Sequence, residues 1–303
     1  GAVSLANSGA YDVTLDNGTH ALTLGTSTLG SGTFSLEGTG ATTLAGILST
    51  SGGAISLAGP VTLGAATTGI DTTDGGTVMT GAAITFGGAV NGASNLTLNA
   101  GTGGAVTLNQ AVGDTTELTG LTVTAGSFNA QALNVDGDLN VTTSAGDITQ
   151  GGAFTVSGAS SFDAIAHAIT LGNSGNHFTG AVSLANSGTN DVTLNNGANA
   201  LTLGTSTLGS GAFNLTGTGQ TTLAGNLTTT GGAITLSGPV TLGAASTGVD
   251  TTDGGNVAAG AAITFNGAVD GTSTLTLNAG TGGMVTLGGA VGATTVLTGL
   301  NVT

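Results

Sequence analysis

The chain has no Lys and no Arg against 15 Asp and Glu, giving a formal net charge of −15 at pH 7. Nothing in it can neutralise phosphates or release counterions, which excludes nucleic acid as a partner. Attraction to an anionic lipid surface fails on the same ground. Trypsin has no site to cut, an advantage for a chain exposed to extracellular proteases. The absence of Cys removes disulfide staples and thiolate metal sites. Trp is absent, Pro occurs twice and Tyr once. No apolar run approaches the roughly 20 residues of a membrane helix, so no membrane span is expected. Only 5% of residues are charged, yet mean hydropathy is +0.39, which is not the composition of polar, highly charged disorder.

What is present is an internal repeat. Residues 180–303 return residues 1–124 almost residue for residue and without a gap, so that Gly1-Ala2-Val3-Ser4-Leu5 reappears as Gly180-Ala181-Val182-Ser183-Leu184. Residues 125–179 occur once. The organisation expected is a first full repeat unit over 1–179 and a second, truncated unit over 180–303, joined in one continuous solenoid. We read the chain as a window from a longer array.

Both copies are built from short triplets such as Val13-Thr14-Leu15, Leu22-Thr23-Leu24, Phe34-Ser35-Leu36, Ile55-Ser56-Leu57, Val61-Thr62-Leu63 and Ile84-Thr85-Phe86. A large apolar residue, a Thr or Ser, then another large apolar residue is the period-2 signature of a strand with one buried side. The 59 Gly residues, with Asn, Asp and Ser, fill the gaps as turns require. The single-copy segment keeps this pattern in Leu133-Asn134-Val135, Leu139-Asn140-Val141, Phe154-Thr155-Val156 and Ile169-Thr170-Leu171. No stretch keeps a helical rhythm free of Gly, so the fold expected is all-β.

Taking Val3, Leu22, Leu44, Val61, Ile84 and Val106 as equivalent points gives coils of roughly 20 residues, the length of one turn of a parallel β-helix. About fifteen such coils at about 4.8 Å each make an elongated rod of about 70 Å. Phe34, Phe86, Phe213 and Phe265 are assigned to its interior.

The run Ile148-Thr149-Gln150-Gly151-Gly152, continued by Ala168-Ile169-Thr170-Leu171-Gly172-Asn173-Ser174-Gly175-Asn176-His177-Phe178-Thr179-Gly180-Ala181-Val182-Ser183-Leu184, resembles the repeat region of filamentous-haemagglutinin-type proteins. These are large exoproteins of Gram-negative bacteria. The resemblance is one of repeat pattern and extends over essentially the whole chain. It implies a right-handed β-helix, export by a two-partner or autotransporter route, an extracellular or cell-surface location, and a role in adhesion or biofilm structure. The partners expected are further copies of the same repeat and a host-cell or matrix surface. The lack of Lys and Arg departs from typical members and leaves open a specialised fibre, in which subunits stack head to tail between chains.

The repeat also tests candidate chemistry. Asp12, Asp71 and Asp74 survive as Asp191, Asp250 and Asp253, whereas Asp16, Glu37, Asp114 and Glu117 become Asn195, Thr216, Ala293 and Val296. Asp71-Thr72-Thr73-Asp74-Gly75-Gly76 is the one acidic motif kept whole. Its carboxylates Asp71 and Asp74, like Asp250 and Asp253, suit either calcium, which wants six to eight oxygens, or an Asx-turn that bonds the backbone. The turn is the expectation, so no metal, cofactor or catalytic residue is assigned. His20, His167 and His177 lack metal-ligand spacing. Polyanion-cleaving solenoids need cationic groups that are missing here, so no enzyme is expected. Gly101-Thr102-Gly103-Gly104 lacks the Lys and helix of a phosphate loop and reads as a turn. Six Asn-x-Thr sequons, such as Asn95-Leu96-Thr97, arise readily in a sequence this rich in Asn and Thr. Outward Thr rows raise an ice-binding surface, disfavoured because successive coil steps within a copy wander, from 17 residues between Leu44 and Val61 to 23 residues between Val61 and Ile84.

Overall fold

The computed structural model describes residues 1–303. It is all-β, without a helix, and forms two compact units, Gly1–Gly158 and Ala159–Thr303. The division falls inside the single-copy segment.

The first unit is a three-sided parallel β-solenoid. Its first face stacks Val13–Leu15, Phe34–Leu36, Ile55–Leu57, Ile84–Phe86, Ala105–Leu108, Ser127–Ala130 and Ile148–Gln150. The second carries Leu22–Leu24, Thr42–Leu44, Val61–Leu63, Val90–Asn91, a bridge at Val112, Leu133–Val135 and Phe154–Val156. The third carries Ser27–Leu29, Ile47–Thr50, Thr67–Asp71, Asn95–Asn99, Gly120–Ala125 and Leu139–Thr143. The second unit repeats the design, its first face running from Ile169–Leu171 through Val192–Leu194, Phe213–Leu215, Ile234–Leu236 and Ile263–Phe265 to Val285–Leu287. First-face strands thus number seven in one unit and six in the other.

The triplets explain the packing. In Ile55–Leu57 the outer two side chains are buried and the central Ser56 is exposed. Stacked in register, the inward positions form apolar columns such as Leu36, Leu57, Phe86 and Leu108, each burial stabilising by about 1.5–3 kcal/mol. All eight Phe are fully buried, Phe34, Phe86, Phe213 and Phe265 among them. Phe162 meets Phe178 edge to face at 6.0 Å inside the second unit.

Coil number and register are where the sequence reading needs correction. Val13 pairs with Phe34 and Phe34 with Ile55, 21 residues apart each time, but Ile55 pairs with Ile84, 29 residues on. Most coils hold about 22 residues, and thirteen coils replace the fifteen expected. The equivalence chosen from the sequence mixed faces, because Leu22 and Val61 lie on the second face and Ile84 and Val106 on the first. The same triplet serves all three faces, so spacing alone does not say which face a triplet joins. Unequal coils nevertheless leave the outward rows straight: Thr14, Ser35, Ser56, Thr85, Thr107, Asn129 and Thr149 stand in register. Extra residues are taken up at the corners, so wandering coil length does not argue against flat Thr rows.

Candidate functional site

The 29-residue coil owes its length to an excursion at residues 72–82, between the third-face strand Thr67–Asp71 and the first-face strand Ile84–Phe86. Thr72, fully buried, closes the neck: its Oγ1 donates to the Ala82 carbonyl at 2.8 Å and accepts from the Ala82 amide at 2.9 Å. Asp71 shapes the turn. Its Oδ1 accepts from the Thr73 amide at 2.7 Å and the Thr73 hydroxyl at 2.6 Å, and its Oδ2 from the Gly75 amide at 2.9 Å. The chain then runs through three left-handed residues, Asp74, Gly75 and Gly76 at φ 54°, 67° and 95°, a conformation Gly adopts without strain. Asn99 of the next coil donates to Thr73 Oγ1 at 2.9 Å. The second unit repeats the arrangement with Asp250, Thr251, Thr252, Gly254, Ala261 and Asn278.

The excursion lies against the following coil. Met79 and Thr80 carbonyls accept from the Thr102 and Gly103 amides at 2.9 and 2.8 Å. This accounts for Gly101-Thr102-Gly103-Gly104: a Cβ at Gly104 would land on the Ala82 carbonyl and within 2.5 Å of the Ala100 carbonyl. The run is a place of close backbone approach. The tip exposes Met79, 74% accessible.

The Asp71 and Asp74 pair does not gather a larger ligand set, since no group of three or more His, Cys, Asp or Glu stands together. Both Asp71 oxygens are engaged by the turn, and Asp74 is exposed. Elsewhere carboxylates bond the backbone of the next coil. Asp12 Oδ1 accepts from the Thr33 amide at 2.8 Å, and that bond, helped by the Thr33 side chain, holds its pKa below the usual carboxylate range. Asp270 is lowered likewise by the amides of Thr295 and Thr294. Its counterpart in the first copy, Asn91, accepts from Thr115 and Thr116 in the same way, so the position requires an acceptor and not a charge. His20 and His177 are exposed and His167 is half-buried.

One feature went unread in the sequence. On the third face of the first unit, Ile47, Gly69 and Thr97 occupy one outward column, and Ser49, Asp71 and Asn99 the next. Gly69 places no side chain in its column, leaving a notch of about 250 Å³ lined by Ile47, Thr67, Gly69, Asp71, Thr97 and Asn99. A smaller one of about 180 Å³ lies over Gly248 in the second unit, where Asn226 replaces Ile47. An isolated Gly within a strand is the available signal, and Thr67-Thr68-Gly69-Ile70-Asp71 carries it.

A family described as repeats of unknown function (DUF5649) matches residues 118–185, a stretch that contains all of the single-copy segment. With the coils described above, the class is settled. The chain is a repeat β-solenoid protein. No curated protein and no solved structure matches it. In the β-solenoid the matched stretch supplies ordinary coils, among them Leu133–Val135, Leu139–Thr143 and Ile169–Leu171.

Proposed function

We propose that this β-solenoid is a non-catalytic structural and adhesive repeat of a bacterial exoprotein, displayed on or released from the cell surface. The observation that carries the reading is the recurrence of the whole coil design, excursion included, at the same register in both copies. In a repeat protein, stability is a sum of coil and coil–coil terms, so a stiff spacer lengthens by adding copies. The conserved turn at Asp71 and Asp250 serves as an architectural corner that needs no calcium, because its carboxylate is already bonded to backbone and hydroxyl donors. The resemblance of residues 148–184 to exported adhesins supports the extracellular placement, as does the absence of tryptic sites.

Negative-stain electron microscopy of the 303-residue chain, alongside light scattering, tests the role. Single slender particles at the mass of one chain are expected. Globular particles would contradict the spacer, and filaments many chains long would replace it with a subunit that stacks head to tail.

A further inference from the structure

We infer that the notch over Gly69 binds one ring of a neutral hexose glycan. Its floor is Gly69 backbone, and its walls, mostly apolar in exposed surface, come from Thr67, Thr97, Asn99 and Asp71, whose side chains add a few polar groups. These offer both donors and acceptors, as a ring of hydroxyls requires. Two of them are fixed beforehand: Asp71 by Thr73 and Gly75, Asn99 by its bonds to Thr73 Oγ1 and from the Gly101 amide at 3.2 Å. Walls ordered in advance lose less entropy on binding. Ile47, 50% exposed, adds an aliphatic ledge for the C–H side of a sugar. The coil itself does not require that ledge, since the second copy has Asn226 there, with its Oδ1 accepting from the Gly248 amide at 2.9 Å.

Charge narrows the ligand. The chain has no cation to offer a phosphate, sulfate or uronate, and Asp71 repels them. At about 250 Å³ the notch is below the range of about 300–1,000 Å³ that holds drug-sized ligands, so it suits a single ring. Beyond it the columns continue in register through Thr122 and Asn140 and through Thr124 and Thr142, placing hydroxyl and amide groups beside neighbouring sugar units.

The inference deepens the adhesive reading proposed above and rests on it. Its test is a ¹H–¹⁵N NMR titration of the full chain with cellohexaose, mannohexaose and maltohexaose, with oligogalacturonate as the acidic comparison. At least one neutral oligomer is expected to shift the amides of Ile47, Gly69, Ile70, Asp71, Thr97 and Asn99, with a Kd of about 1 mM or below. Gly69→Val fills the notch. Its Cβ meets nothing nearer than the Thr97 carbonyl at 3.4 Å and Val suits a strand, so the variant keeps its fold and binds about tenfold more weakly. No shift with any neutral oligomer, an equal shift in folded Gly69→Val, or an equal response to the galacturonate overturns the inference. Globular particles or long filaments in the micrographs described above would contradict the adhesive spacer instead, whatever the titration shows, so the two failures are distinguishable.

Discussion

Phe86→Ala is expected to destabilise the first unit by about 3–5 kcal/mol, the range for truncating a buried Phe. Phe86 is wholly inaccessible and stands between Leu57 and Leu108 in one inward column. The backbone of adjacent coils is tied by continuous ladders, so it cannot collapse into the cavity. Because each coil contacts only its neighbours, the loss is local. Hydrogen exchange is expected to quicken in the strands Ile55–Leu57, Ile84–Phe86 and Ala105–Leu108, while the strand Leu139–Thr143 keeps its protection. Phe265→Ala, at the equivalent inward position of the second unit, is expected to match it there. A urea midpoint shift worth under about 1 kcal/mol in either variant would show that the columns are not packed as described.

Gly104→Val is expected to cost about 3 kcal/mol, the upper end for overpacking. The obstacle is backbone on both sides, the Ala82 and Ala100 carbonyls, and neither can rotate away as a side chain would. Relief requires lifting the excursion from the next coil, which breaks the bonds from Thr102 and Gly103 to Met79 and Thr80. Gly75→Ala separates this effect from ordinary turn strain. Gly75 has nothing within 4 Å of a Cβ but sits at φ 67°, so its cost is the left-handed penalty of about 1–2 kcal/mol. Thermal melts of both variants check the order, and equal losses would mean that close approach at Gly104 is not what the Gly-rich run provides.

Strand content was legible because a triplet such as Val61-Thr62-Leu63 encodes burial locally: two inward apolar side chains and one outward hydroxyl. The interior positions of Phe34 and Phe86 followed from bulk alone. Coil register was less legible, since Val61 and Ile84 look alike in sequence yet lie on different faces. The excursion at residues 72–82 adds length that periodicity reads as wandering. Asp71 was legible as a turn former, because an Asx side chain followed by Thr and Gly has local backbone donors within reach. The notch was not, because it comes from Ile47 and Thr97, far apart in sequence, flanking the missing side chain of Gly69 across two ladder steps.

On the function proposed above, in-register coil stacking holds the solenoid together without bound metal. Hydrogen exchange of the 303-residue chain in EDTA, compared with millimolar calcium, is the decisive measurement. The same slow exchange is expected in both for strand amides throughout both units, with an unchanged rate for the Gly75 amide bonded to Asp71. Strand protection that collapses in EDTA and returns with calcium would contradict it, making Asp71 and Asp250 metal ligands on which the fold depends.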